Sequence, residues 1–411
     1  FDENKDRDIE AIKEKTGDSE LVQIELGELG EDALSSSQLM VISPGIPVDA
    51  PFTDVVRNAG IPIWSEIELA YHYGKGKIAA ITGTNGKTTT TALVGEIVKA
   101  HNAKTIVVGN IGIPYTELCD TTDDDSDTVA EISSFQLETV IDFHPNVSAI
   151  LNLTPDHLNR HYTFENYGNV KFSITKNQTM DDVTVLNYDD EHTRAMGEKA
   201  KDHCHVVYFS RLEKPAGGVY VEDGDIILED GDKKINVLAI KDLKLMGAHN
   251  VENVLAAVGI SYYMGVPVDV IRDVATSFKA VAHRIEYVDT VDGVAYYNDS
   301  KGTNPDAAIK GIQAMVAPTF LIGGGYDKGS EYDEWIEAFD GKVKWLVLIG
   351  QTAQKIADCA KRHGFNSIIF EENLQDAVAY CHENAVDGDA VLLSPACASW
   401  GQFDNYEQRG D

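Results

Sequence analysis

The segment 77–100, KIAAITGTNGKTTTTALVGEIVKA, constrains the fold most, because it sets a glycine-rich turn ending in Lys-Thr between a short apolar run and a helix-patterned stretch. Ile78 to Ile81 predict a compact buried strand, and helical periodicity begins near Thr89, with Leu93, Ile97 and Ala100 on one side. Between them Gly83 and Gly86, with Thr84 and Asn85, let the backbone fold around a polyphosphate, so that N–H groups at the helix start point at phosphate oxygens. Lys87 is placed to reach terminal phosphates, and Thr88 or Thr89 can offer a hydroxyl to Mg²⁺. The strict phosphate-loop pattern has glycine at position 81, where Ile81 stands, so the loop is a shortened variant. The plain alternative is an ordinary glycine turn joining strand to helix.

With 411 residues, 43% of them hydrophobic, the chain can bury roughly two or three domain cores. No apolar run approaches membrane-spanning length and no signal peptide opens the sequence, so a cytoplasmic protein is expected. A formal net charge of −33 repels nucleic acid and anionic membrane, and neither is expected as a partner. Phosphate binding must then depend on local Lys, Arg and backbone amides. Cys119, Cys204, Cys359, Cys381 and Cys397 are scattered with no Cys-x-x-Cys pair, which predicts buried thiols rather than disulfides or a zinc site. The acidic run Asp123–Asp125 reads as a solvated loop.

Gly74-Lys75-Gly76 makes a first domain boundary. After it, apolar runs at 105–108, 128–132, 147–153, 183–186 and 206–209 alternate with helical patterns, the cadence of a mainly parallel α/β sheet. Residues 218–237 read as a small antiparallel ribbon with Asp-Gly turns at 223–224 and 230–231. From about Ala282, strands at 294–297, 319–322, 345–349 and 390–393 with helices between them predict a dinucleotide-fold-like domain. The expected domains are therefore 1–74, 75–281 and 282–411.

Two successive strand ends carry metal-capable side chains: Glu131 in EISSFQLE and His157 in NLTPDHL. Open α/β sheets present ligand-binding groups there, although a lone strand-end charge, with Ser133 or Ser134 as a helix cap, needs no ligand. Lys171 follows in a helical stretch, 164–177, where an ammonium can donate hydrogen bonds but cannot ligate a metal. Asn250 and Asn253 begin another helix, Asn250 suiting either a nucleoside or a simple N-cap. His283-Arg284, NDSKGTNP (298–305), the loop GGGYDKG (323–329) with Lys328, and SPACASW (394–400) place polar groups at further element ends.

Taken in order, TGTNGKTT, GNIG (109–112), the Glu131 phrase, Asp156-His157, GAHNVEN (247–253), His283-Arg284 and NDSKGTNP resemble the Mur ligases of peptidoglycan synthesis over nearly the whole chain. SPGIP (43–47), EISSFQLE and SPACASW with Phe403, Tyr406 and Arg409-Gly410 are most similar to the branch that adds D-glutamate. The resemblance implies a three-domain α/β architecture: a Rossmann-like N-terminal domain for the UDP-substrate, a central ATP-binding domain, and a C-terminal domain that binds D-glutamate and closes on ATP. It implies ATP-dependent amide-bond formation between UDP-MurNAc-L-Ala and D-glutamate through an acyl phosphate.

On that pattern Gly83, Thr84, Asn85, Gly86, Lys87, Thr88 and Thr89 hold the ATP phosphates, while Asn250, Asn253, Arg284, Asp299 and Lys301 contact adenine, ribose and phosphate. Asn110 bridges ATP and the acyl substrate, which Gly45 and His157 also meet. Thr88 or Thr89 with Glu131 serve one Mg²⁺, and His157 with Lys171, carbamylated by CO₂, serve a second; Lys87, Glu131, His157 and Lys171 are the catalytic set. The carbamate supplies the anionic oxygen that Mg²⁺ prefers. Gly168-Asn169-Val170 before Lys171 departs from the small residue usual there. Thr303, Lys328, Ser399 and Tyr406 fall on the D-glutamate positions.

Other members of the same ligase superfamily, a later Mur ligase or a folylpolyglutamate synthetase, remain alternatives, as does a non-catalytic phosphate-loop protein. The opening Phe1 and the polar stretch after it show no strand, glycine turn and helix before 9–15, where the family's first domain begins. An N-terminal domain represented by its later half is expected, and with it weak binding of the UDP-substrate.

Overall fold

Strands that are buried on both faces in this chain are short and rich in Val, Ile and Ala, with polar residues admitted only where a partner is at hand. In VSAI (147–150), for example, the Ser148 hydroxyl lies 2.9 Å from both Gln178 Oε1 and Thr184 Oγ1. This is the composition of a parallel sheet covered by helices. The computed structural model describes residues 22–110, 112–245, 247–279, 283–327 and 329–411, together with Phe1, Ile9 and Lys13. They divide into two compact units, Phe1–Lys241 with Glu252–Ala275, and Asp242–Val251 with Thr276–Asp411.

In the first unit a short parallel pair, β1 (Met40–Ile42) and β2 (Ile63–Ser65), precedes the main sheet. The main sheet holds β3 (Lys77–Thr82), β4 (Ile106–Gly109), β5 (Asp127–Glu131), β6 (Val147–Ile150), β7 (Val183–Asn187), β8 (His205–Ser210), β9 (Gly218–Glu222), β10 (Asp225–Asp230) and β11 (Lys233–Ala239). Their order is β11-β10-β9-β8-β7-β6-β3-β5-β4, parallel from β8 to β4. The predicted ribbon is β9-β10-β11, antiparallel, and it continues the sheet through a parallel β8–β9 pairing.

Register does the positioning. Ile81 pairs with Glu131, Glu131 with Gly109, and Thr82 with Ile150, so the carboxyl ends of β3, β5, β4 and β6 finish at one rim. β3 sits between β5 and β6, and the chain leaves β3 toward one side and returns to the other, which makes this rim the topological switch point where open α/β sheets bind ligands.

The second unit holds β12 (Glu286–Val291), β13 (Val294–Asn298), β14 (Thr319–Gly324), β15 (Val343–Ile349), β16 (Ile368–Phe370) and β17 (Ala390–Leu393), in the order β12-β13-β17-β14-β15-β16. Only β12–β13 is antiparallel among the described residues. The hairpin turns at Asp292-Gly293, both at positive φ (52° and 80°), the chemistry a tight hairpin needs.

Four expectations need correction. The strand expected over 147–153 stops at Ile150: Leu151 N makes the last ladder bond, to Thr82 O, and beyond it the Asn152 carbonyl accepts from Thr84 N in the glycine loop. The helix expected to start near Thr89 starts at Lys87, and the one expected over 164–177 is α-helical only to Phe172 before a 3₁₀ turn, Ser173–Thr175. Asn250 is not an N-cap: it lies inside the helix Ala248–Tyr263, where its N–H donates to Gly247 O. All five cysteines are free and buried, and among the described residues no helix is long and apolar enough to cross a membrane.

Candidate active site

At the rim of the first unit, the loop after β3 turns on Gly83 (φ 146°) and Gly86 (φ 84°) and feeds the helix Lys87–His101. A Cβ on Gly86 would stand 2.2 Å from Asn253 Oδ1, in a backbone conformation that already favours glycine. Lys87 Nζ donates to the carbonyls of Gly83 and Thr84 at 2.8 Å each, so its charge rests on the loop itself. Thr84 Oγ1 donates to Thr154 O and lies 3.1 Å from the Tyr167 hydroxyl. Asn152 braces the loop from β6: its Oδ1 accepts from Asn85 N at 2.8 Å, and its Nδ2 donates to Asn85 O at 3.1 Å.

Glu131, 2% exposed, ends β5 beside this loop. Its Oε1 accepts from Asn110 Nδ2 at 2.9 Å, and the Asn110 N–H donates to Glu131 O at 2.8 Å. Its Oε2 is buried and meets no hydrogen-bond donor. An orphaned carboxylate oxygen in a buried site needs a cation or a donor. Thr88 and Thr89 are buried at the start of the adjoining helix. Hydroxyl and carboxylate oxygens are a hard donor set, which fits Mg²⁺.

Lys171 is 1% exposed, and its Nζ donates to Gly83 O at 2.9 Å and Thr82 Oγ1 at 3.3 Å, 4.8 Å from the Tyr167 ring centre. Burial, helped by the Lys87 charge, holds its ammonium well below the usual lysine range, against the opposing pull of Asp156 and Glu131. Burial thus shifts this amine toward its neutral form. His157 opens the turn Leu158–His161 in the left-handed region (φ 52°), with its ring half-exposed, 4.8 Å from Phe135, and its Nε2 3.4 Å from Asp156 Oδ2. Ser133 caps the preceding turn through a reciprocal capping box with Gln136, so the cap expected there is real and leaves Glu131 to other work.

In the second unit the residues cluster around a buried arginine. Arg409 Nε donates to Ser300 Oγ, Nη2 to Ser300 O and Nη1 to Cys397 O, at 2.6 to 3.0 Å. Ser300 Oγ in turn donates to Tyr406 O, and Lys301 Nζ stands 5.5 Å from the Tyr406 ring centre. This one guanidinium draws together 299–303, 394–399 and the C-terminal helix Tyr406–Gly410. Asp299, 3% exposed, accepts from Ser394 Oγ at 2.6 Å and Ile285 N at 3.2 Å. The glycine loop after β14 joins the same cluster, since Gly324 N donates to Pro395 O and Tyr326 N to Ala398 O.

Two family models match the chain: the Mur ligase middle domain over residues 81–261 and the Mur ligase glutamate ligase domain over 283–397. A Lachnospira eligens protein named UDP-N-acetylmuramoylalanine–D-glutamate ligase is 57% identical over 410 residues, spanning 100% of this chain and 90% of the relative. The protein of that name from Lachnoclostridium phytofermentans is 51% identical over the same shares of both chains. The chain belongs to the Mur ligase family. A crystal structure of the UDP-N-acetylmuramate-alanine ligase MurC from Thermotoga maritima shares the fold, with a TM-score of 0.59 and 20% identity over 90% of this chain and 84% of that one.

For a Mur ligase chain, the residues expected at the site fall into two sets. Gly83 to Thr89, Asn110, Glu131, His157 and Lys171 gather at the rim of the first unit. Asn253 packs its amide there too, its Oδ1 accepting from Thr90 Oγ1 at 3.3 Å, so in this structure it supports the loop. Gly45 lies exposed in the turn after β1. Arg284, Asp299, Lys301, Thr303, Ser399 and Tyr406 belong to the second unit, as does Asn250. The Arg284 charge is felt at both Asp299 and Tyr406, and Ser399 is buried. Lys328 lies outside the described residues.

Sequence reasoning gave no role to Asn152, Asp156, Arg160, Glu138 or Arg409. Asn152, Asp156, Glu138 and Arg409 stand inside quoted motifs, whose extent was the available signal, whereas Arg160 lies outside them.

Burial raises the Asp299 carboxyl to about 7, above its ordinary 3.8. The folded state then holds this proton more tightly than the unfolded chain, so its stabilising contribution is full below about pH 4 and falls as pH rises toward 7. Asp299→Asn should remove that slope. Thermal melts across pH 4 to 8 would test it: a wild-type minus variant difference that does not move with pH overturns the assignment.

Proposed function

We propose that this chain is an ATP-dependent ligase that joins D-glutamate to UDP-N-acetylmuramoyl-L-alanine during cytoplasmic synthesis of peptidoglycan precursors. The observation that carries this reading is the near full-length likeness to relatives bearing that activity in their names. The rim of the first unit supplies groups suited to the chemistry.

A carboxylate oxygen is a poor leaving group, so the alanine carboxylate first attacks the γ-phosphorus of ATP and ADP departs. The D-glutamate amine then attacks the acyl carbon, phosphate leaves with the bonding pair, and the amine loses its surplus proton. In this reading Lys87 moves from the loop carbonyls to phosphate oxygens, and the loop amides of Gly83 to Thr89 hold the rest of the chain of phosphates. Asn110, held by Glu131, orients the acyl carboxylate near the γ-phosphate.

Thr88, Thr89 and Glu131 would hold one Mg²⁺, and His157 with Lys171 a second. Bound there, the ions supply charge neutralisation on the transferring phosphoryl group. Lys171 reaches this role by adding its neutral amine to CO₂, with loss of one proton, which leaves a carbamate anion. Its burial favours the neutral amine that this addition needs, and the anion removes an unpaired ammonium from the interior.

For the nucleotide we assign Arg284, Asp299 and Lys301 with Asn250, and for D-glutamate Thr303, Lys328, Ser399 and Tyr406. An ammonium with hydroxyls suits two carboxylates. The protein acts as a monomer.

The test is an amino-acid panel. Incubated with ATP, Mg²⁺ and the UDP-muramoyl substrate, the protein should release phosphate and form product with D-glutamate. L-glutamate, L-lysine or meso-diaminopimelate supporting a faster rate would overturn the acceptor assignment and leave the ligase chemistry standing.

A further inference from the structure

We infer that Arg160 is a positioning residue for the acyl substrate, clamping the loop Ser43–Pro47 to the turn that carries His157; the inference rests on the reading above, in which that loop and His157 both meet the UDP-muramoyl substrate. Arg160 and Glu138 form a nearly dry pair, their side chains 10% and 7% exposed. Arg160 Nε lies 3.1 Å from each Glu138 carboxylate oxygen, and Nη2 donates to the same carboxylate. Nη2 also donates to Ile46 O at 2.7 Å, across 114 positions of sequence. Ile46 stands next to Gly45.

The same guanidinium lies 5.0 Å from the Phe135 ring centre, and Phe135 packs on His157 at 4.8 Å. Arg160 N donates to His157 O at 2.9 Å. The planar fork thus meets the substrate loop and the ring beside His157, while the Arg160 backbone ties into the turn holding that histidine. A second tie joins the same two segments at the surface: the Tyr162 hydroxyl donates to Asp49 Oδ2, from a residue at φ 64° that only its surroundings can hold there.

A pair serving only fold stability would have no reason to reach the Ile46 carbonyl. Lysine in place of arginine keeps the charge beside Glu138 but cannot span carboxylate and carbonyl together. Arg160→Lys should therefore raise KM for UDP-MurNAc-L-Ala about ten-fold, while KM for ATP and for D-glutamate shifts less than about two-fold and kcat less than about three-fold, the pattern of lost ground-state positioning.

Tyr162→Phe, at an exposed position that cannot disturb the core, should raise the same KM about two-fold. Should Arg160→Lys fail to fold, the tyrosine variant decides alone. An unchanged KM for the UDP-substrate in the folded variants, or a parallel rise in all three KM values, would overturn the clamp. The wild-type product with D-glutamate, measured alongside, reads the underlying activity separately.

Discussion

Replacing Lys171 by alanine is expected to lower turnover about a hundred-fold or more, and acetate or formate added at tens of millimolar should restore part of it. The expectation follows from where the amine sits. Among the described residues Nζ donates to Thr82 Oγ1 and Gly83 O, and the residue is 1% exposed, so a permanent ammonium there is costly. A carbamate resolves the cost and adds oxygen ligands; alanine removes both and leaves space into which a small carboxylate can diffuse. Activity near wild type in the variant, or loss with no response to any carboxylate, would return Lys171 to a purely structural role.

Lys87→Ala should lose about a thousand-fold in kcat, and no carboxylate should rescue it. In the proposed reading Lys87 is a phosphate contact, and in this structure its Nζ donates to Gly83 O and Thr84 O. The missing group is a cation, so an added anion has nothing to replace. Stability should change little, because the loop keeps its Asn152 brace and the helix keeps its left-handed glycine start. Thermal melting and steady-state kinetics together test this. A variant that melts far below wild type would mean that Lys87 holds the loop together, and its kinetic loss could not then be assigned to phosphate.

The strand, glycine turn and helix around Lys87 were legible because their signals are local: an apolar run, two glycines and a helical period within some twenty-five residues. Most strands of the two larger sheets were legible for the same reason, as were the Asp-Gly turns of the ribbon. β12 went unread although Asp292-Gly293 carries the same hairpin signal, since its residues mix polar and apolar types and are mostly exposed, with no buried face to mark a period. The short strands β1, β2 and β16, of three residues each, are too brief to show a pattern.

What the sequence hides is pairing across distance. Asn152 meets Asn85 over 67 positions and Arg160 meets Ile46 over 114, and neither asparagine nor arginine advertises its partner. Arg409 enters the sequence reading only as part of a family phrase, and nothing there shows that its three donors meet Ser300 and Cys397. Lys171 could be tied to a metal only through the family pattern; its burial, a property of the fold, is what gives the assignment a physical cause.

The reciprocal grip of Asn152 on Asn85 has a thermodynamic consequence. A side-chain amide that both accepts from and donates to one backbone unit mimics a rung of β-ladder, so the phosphate loop has its shape before any nucleotide arrives. The conformational entropy of those residues is lost once, when the chain folds, and not again at every turnover. Nucleotide binding should then show a heat-capacity change close to that of a rigid site, with little coupled folding. In the proposed reading the loop works as a fixed mould, and Lys87 is the side chain that moves within it.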